Sequence, residues 1–426
     1  MIIVYILIFS MALIADPNFG RLVGPFTIEK WVGFATIFYA LTYFPKRKGT
    51  PHFFRTLQAK MFVAFVILAV SSYITTTKDL AFEGLISILI SQLFFFFVSQ
   101  TVIDTQKRLY YCTLAYIGAI GFGAAYLLRE WVGNVGSYGI DYRAGYVVGD
   151  PNFFTASALV TLPLNLYFII NLKRKLPRYF CIGCLLLTIA AILVGQSRGG
   201  LLGLIAVLIL QTRDSNHRKA FVGLSLMIVL AVLISPASPL IRLLHPTYSD
   251  KDSSESRLEM WRVAGRVIEQ YPVLGAGIGK FHHYLELYAP GQDLNFYVPH
   301  NTYIQVAVEL GFVGLTLFLL MLYGTFRGLS KAKRLAKKAG DPFIYAIAAA
   351  LTNGICGFLV SIMFISALHS KIFWFAIFLS TCLPSLIRKP KPVNNESEGA
   401  LEPSLAEREF DLPEHIPGLD AVTVGR

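Results

Sequence analysis

Twelve apolar runs, cut apart by charged or turn-forming segments, dictate what this chain can fold into. They fall at about 2–15, 31–45, 61–77, 84–103, 109–128, 153–171, 179–195, 201–212, 220–236, 302–324, 343–365 and 369–387. A helix needs about 20 residues to cross a hydrocarbon core, and a bilayer admits only helices and closed barrels. Of the 426 residues, 55% are hydrophobic and only 15% charged, and the mean hydropathy is +0.57. Soluble domains carry about 25% charged residues. Too little polar material is present to cover a soluble protein of this length. The expectation is an all-α polytopic membrane protein with about 12 transmembrane helices in a transmembrane domain over 1–390. The first run has no basic leader and no cleavage site, so it reads as a retained helix. The stretch 391–426, rich in Glu, Pro and Ser, reads as a disordered cytoplasmic tail.

The net charge is +12. In a soluble protein that excess suggests nucleic acid; here it follows topology. Alternate loops carry 23 Lys and Arg in about 54 residues, against 12 in about 120 for the other set. The dense set is cytoplasmic by the positive-inside rule. Both termini then lie inside, and the large loop 237–301 lies outside. The run Lys331, Lys333, Arg334, Lys337, Lys338 reads as a helix end on anionic headgroups, with no nucleic-acid partner. Cys181 and Cys184 form a CxxC inside an apolar run. They read as small buried hydrophobes, not as a metal or redox pair.

A few polar residues on the outer face stand against this pattern. Arg143 precedes Asp150-Pro151-Asn152, a helix-start signal; a cap accounts for Asp150 or Asn152, not for Arg143. Gly195-Gln196-Ser197-Arg198-Gly199 joins two spans with almost no loop, so Arg198 sits at the membrane edge, where an unpartnered arginine is costly. The same stretch matches GxSxG, but a nucleophile elbow needs a strand before it. Arg257, Trp261, Arg262 and Arg266 follow at helical spacing, with Val263, Val267 and Ile268 on an apolar side. That segment reads as an amphipathic helix at the outer interface, ended by Pro272 and a tight turn through Gly275, Gly277 and Gly279. His300-Asn301 opens the tenth span, and Glu309 lies about 13 Å further along it. Glu309 is either functional or a structural partner for an arginine or for Asn353.

Arginines and one histidine on one face suit a diphosphate. The guanidinium stays charged and its fork matches phosphate oxygens. A histidine can accept a proton from a hydroxyl. No cluster has metal-ligand spacing, so no metal or cofactor is expected.

The order Arg143…Asn152, Ser197-Arg198-Gly199-Gly200-Leu201-Leu202-Gly203, Ser256-Arg257-Leu258-x-x-Trp261, Gly275-x-Gly277-x-Gly279-x-Phe281 and His300-Asn301-x-Tyr303 with Glu309-Leu310-Gly311 resembles the O-antigen ligase family. That superfamily also holds O-antigen polymerases and protein O-oligosaccharyltransferases. The resemblance implies a GT-C-type glycosyltransferase in the bacterial inner membrane. Such an enzyme moves a glycan from undecaprenyl diphosphate to a hydroxyl on the periplasmic side, lipid A–core in the ligases. It implies that Arg143, Arg198 and Arg257 bind the donor's diphosphate, with Arg262 added to the set, and that His300 is the base. Asn152, Trp261, Asn301 and Glu309 are candidate supports. A transporter would place its charges at mid-membrane within repeats, and no repeat is seen. An intramembrane serine protease using Ser197 and His300 ranks lower still.

Overall fold

A computed structural model describes residues 1–11, 28–46, 56–76, 92–93, 95–140, 142–145, 150–213, 218–245, 248–290, 298–368 and 370–388. Residues 84–91 and 94 of the fourth expected span, Asp141 and the expected tail at 391–426 lie outside the described residues. Among the described residues the regular structure is all helical. The helices are α1 (Ile2–Ser10), α2 (Ile28–Tyr43), α3 (Leu57–Thr76), α4 (Gln106–Tyr138), α5 (Pro151–Asn171), α6 (Lys175–Gly195), α7 (Arg198–Arg213), α8 (Arg218–Ile234), α9 (Pro239–Leu244), α10 (Tyr248–Gln270), α11 (Phe281–Tyr288), α12 (Thr302–Ala339), α13 (Pro342–Ser361) and α14 (Lys371–Cys382). Six of them, α3, α4, α5, α6, α12 and α13, are long and apolar enough to cross a membrane by length and composition. Helices α7 and α8 have 16 and 17 residues, short of the roughly 20 a straight span needs.

Helix α5 is the axis of the bundle. Every residue from Phe154 to Ile169 is buried, as expected for a helix apolar on all sides. Small residues let α7 and α13 close upon it and upon each other. A Cβ at Gly354 would strike the Val160 carbonyl, and one at Gly203 would strike Ser361 Oγ and the Gly357 carbonyl. Helices in apolar surroundings associate through such close backbone approach. The result brings three helix ends together: the starts of α5 and α7 and the end of α13.

Helix α12 is broken at Gly311 (φ 64°, ψ −167°). The break removes two helical hydrogen bonds, and the turn after α10 replaces them. Ala276 N donates to Val308 O at 2.8 Å and Gly277 N to Glu309 O at 3.1 Å. In return Phe312 N donates to Pro272 O at 2.8 Å and Val313 N to Val273 O at 3.2 Å. The turn is thus spliced into the helix, and every freed group has a partner. Both strands of the splice need glycine. Gly275 (φ 76°) and Gly311 take left-handed conformations, and a Cβ on either would collide with the other's backbone neighbourhood. The bend is sharp: the Tyr303 and Phe318 ring centroids are 6.1 Å apart, although 15 helical residues would span about 22 Å. Glu309 ends the first arm of the helix, two residues before the break. Its carboxylate accepts from Gln305 Nε2 at 3.2 Å, and Asn353 pairs with Gln211 at 2.8 Å instead.

The apolar side of α10 also departs from expectation. Met260, Val263, Ala264 and Val267 do not lie open to an interface. They form a second small core with Ala276, Phe281, Leu285 and Val308. The amphipathic period was read correctly, but α11 and the first arm of α12 cover the face.

Replacing Gly311 with Val should destabilise the protein by about 2 kcal/mol or more, because a β-branched residue cannot hold this φ without strain. Thermal unfolding in detergent checks it, with Gly133→Ala, a position open on all sides, as the variant that should unfold as the parent does.

Candidate functional site

The converging helix ends line a partly open pocket of about 400 Å³, solvent at its mouth included. Its polar lining is Arg143, Asn152, Ser197, Arg198, Arg242, Arg257 and Ser361, and Phe364 and Ile365 add an apolar wall.

Three of the four arginines, Arg143, Arg198 and Arg242, are held by local hydrogen bonds. Helix α5 starts with Pro151 in its first turn and Asp150 as its cap, the carboxylate accepting from Asn152 N at 2.6 Å and Phe153 N at 3.3 Å. Asn152 then presents Oδ1 to Arg143 Nη2 at 3.0 Å. Arg143 Nε donates to Gly195 O at 3.2 Å, and Arg242 Nη1 donates to Gln196 O at 3.0 Å. The carbonyl end of α6 thus grips two guanidiniums, where a helix's negative pole favours cations. Gln196 ends α6 in the left-handed region (φ 47°), and its side chain donates to Ile140 O at 2.9 Å. Glu130 fixes the segment around Arg143 from the other side: its Oε1 accepts from Tyr142 OH at 2.8 Å and from Gly145 N at 3.3 Å.

Arg198 is the first residue of α7. Ser197 Oγ accepts from Gly200 N at 3.0 Å, so the serine of the GxSxG match is a helix cap. Gly199 and Gly200 sit where side chains would strike Phe364 and Thr155. Arg198 Nη2 reaches Ser254 Oγ on α10 at 3.4 Å. Burial and the charge of Arg198 pull the Arg257 pKa below the usual arginine value, while Asp150 opposes them. The first turn of α7 lines the pocket with these cations, so the helix's positive pole adds to their field.

His300 stands beside this lining and is close enough to Arg257 and Asp150 to respond to their charges. Trp261 Nε1 donates to Pro299 O at 2.8 Å, which ties α10 to the residue before it. His300 takes φ 48°, a region where His is tolerated better than most residues. Thr302 holds the far wall: it donates to Ile362 O from its backbone at 3.0 Å and to Ile365 O from its hydroxyl at 2.8 Å. Burial, then the Arg257 charge, lowers the His300 pKa from 6.5 to about 4, with Asp150 acting the other way. The unliganded imidazole is therefore neutral at neutral pH.

Residues 182–319 match a family model described as O-antigen ligase. They are an O-antigen ligase family segment. It covers about a third of the chain and runs from within α6 to the bent part of α12. The ligase segment supplies Arg198, Arg242, Arg257 and His300, while Arg143 and Asn152 come from before it and Ser361, Phe364 and Ile365 from after it. No match is found among curated proteins. The chain thus combines several helices apolar enough to cross a membrane with a segment that matches the O-antigen ligase model.

The structure brings Arg143, Asn152, Arg198 and Arg257 together. It does not bring Arg262 there. That side chain is 71% exposed and pairs with Glu259 at 2.8 Å. It faces away because Arg257 and Trp261 occupy the inward stripe of α10. Arg266 donates to the Tyr288 carbonyl at 3.5 Å. Asn301 accepts from Tyr303 N and Ile304 N as the cap of α12. Arg242 was missed, although it met the criterion that singled out the others, a basic residue on the sparse side. Phe364 and Ile365 carry no chemical signature that sequence could reveal.

A histidine kept neutral by burial weakens the fold as pH falls, because the unfolded chain takes up the proton first. Stability should be lost as pH drops from 6.5 through about 4. Melting temperatures across that window should fall less steeply in His300→Gln than in the parent.

Proposed function

We propose that the protein transfers a glycan from undecaprenyl diphosphate to an acceptor hydroxyl, ligating O-antigen to lipid A–core at the periplasmic face of the bacterial inner membrane. The single observation behind this reading is the pocket into which Arg143, Arg198, Arg242 and Arg257 converge beside a neutral histidine. In this reading the chain is a GT-C-type enzyme of about 12 spans with both termini cytoplasmic and 237–301 periplasmic. The shorter apolar helices Trp31–Tyr43 and Lys371–Ser385, together with α7 and α8, supply four of the spans beyond the six long ones, and the runs 2–15 and 84–103 supply the other two.

The chemistry is a displacement at the anomeric carbon. The acceptor hydroxyl attacks that carbon, His300 takes the hydroxyl proton, and the bond from the carbon to the diphosphate oxygen breaks. Undecaprenyl diphosphate leaves with the electron pair. The arginines act on charge that grows on the leaving oxygens, with the bidentate geometry that suits phosphate. The diphosphate also offsets the field of Arg257 at His300. The proton affinity of the imidazole then rises toward neutral, so the base strengthens when the donor is in place. In this reading the arginines carry the charge stabilisation and no metal takes part in the reaction. The second reading, an O-antigen polymerase or protein O-oligosaccharyltransferase, uses the same pocket with another acceptor.

Replacing Arg198 with Ala should lower kcat/KM for glycan transfer by about 10- to 100-fold, the loss of one charge-assisted contact. Ser197→Ala should cost about 1 kcal/mol of stability as a lost cap and leave transfer largely intact. The reverse ranking would favour serine nucleophilic chemistry. His300→Ala should lower transfer by about 10²- to 10⁴-fold in protein that still folds, and EDTA should leave the parent's rate unchanged. Glycolipids from a deletion strain separate the acceptors: uncapped lipopolysaccharide with polymer on the carrier indicates a ligase, single-unit caps a polymerase.

A further inference from the structure

A lipid diphosphate has two ends, and the arginine pocket accounts for one. Its apolar tail must leave the pocket along a face that is both continuous with the arginines and open to lipid. Few elements qualify. Arg143 lies on a non-helical segment, Arg242 on the six-residue α9, and Arg257 on α10, whose apolar side is buried in its own small core. Helices α5 and α13 run from the pocket into the bundle, but neither has an exposed residue along its length. Helix α7 differs. Arg198 is its first residue, and Leu202, Ile205 and Ile209 follow at i+4, i+7 and i+11, all on one stripe at 3.6 residues per turn. Those three are 43%, 45% and 49% exposed, while Leu201, Leu204, Val207 and Leu208 on the opposite side are buried. A guanidinium thus heads a ladder of branched aliphatic side chains.

We infer that the Arg198–Leu202–Ile205–Ile209 stripe of α7 is the docking track for the polyprenyl tail of the diphosphate donor. The inference rests on the diphosphate reading of the pocket. The tail's methyl-branched surface suits branched aliphatic side chains, and a track under Arg198 lets one helix hold the diphosphate and align the chain behind it. The stripe also accounts for two features that catalysis does not use. Helix α7 exposes aliphatic residues only on the side that its arginine faces. Its glycines lie off that stripe, Gly200 and Gly203 against α5 and α13 and Gly199 against Phe364.

Photo-crosslinking tests it. A benzophenone amino acid is placed singly at Leu202, Ile205 or Ile209, at Met363, and at Leu186 on α6 or Leu226 on α8, the last two each 63% exposed. Full-length protein in nanodiscs is irradiated with radiolabelled undecaprenyl diphosphate, with and without excess inorganic pyrophosphate. The expected result is several-fold more label at Leu202 and Ile205 than at Leu186 or Leu226, suppressed by pyrophosphate and by Arg198→Ala. Equal labelling at all positions, or stripe labelling that pyrophosphate does not suppress, means contact with bulk lipid and overturns the track. Pyrophosphate-sensitive label at Met363, the exposed residue after α13, with none on the stripe, overturns the track and leaves the diphosphate reading standing. Loss of all pyrophosphate-sensitive label overturns both.

Discussion

The splice between the 272–277 turn and the break in α12 is the constraint on which the rest of the site depends. A bilayer-facing helix cannot leave two carbonyls and two amides unpaired without a cost of several kcal/mol each. The break at Gly311 frees those four groups, and the turn satisfies all of them. Neither partner is stable in this form without the other. The splice fixes the far end of α10, and the Trp261–Pro299 hydrogen bond fixes its middle. Arg257 is carried on the helix between these fixed points and the pocket, and His300 is carried on the chain that the second one holds.

The pocket has an electrostatic problem and a local solution to it. Four arginines converge, and burial disfavours the charged form of Arg257 among them. Carbonyls at the end of α6 hold two of them, Asn152 shares one, and Asp150 offsets the field at Arg257 and His300. These contacts orient the guanidiniums toward the pocket, where they can meet an anionic ligand.

Much of this was legible in the residues. Apolar runs marked the helices, and basic residues on the sparsely charged side marked Arg143, Arg198 and Arg257. The period of α10 was readable too. What covered its apolar side was not, because a hydrophobic stripe looks the same against lipid as against protein. Arg262 was misassigned for a related reason: sequence gives spacing along α10, whereas its contact with Glu259 and its outward direction come from how the helix docks. The GxGxG turn and Glu309-Leu310-Gly311 were visible as motifs but uninterpretable separately. Their meaning lies in hydrogen bonds between positions more than thirty residues apart. Phe364 and Ile365 reach the pocket only through the hold of Thr302 on the end of α13.

The wide scatter of the pocket's residues along the chain has a consequence for biogenesis. Arg143 is placed by α4 and α6, Arg257 by a turn that joins α12, and the apolar wall by the last residues after α13. During synthesis from the N-terminus, the arginines emerge long before the wall does. A nascent chain that has inserted up to α11 carries all four arginines and lacks His300, the splice and one side of the pocket. The cation cluster gains its apolar wall only when the final helices dock, so incompletely made chains lack a complete pocket.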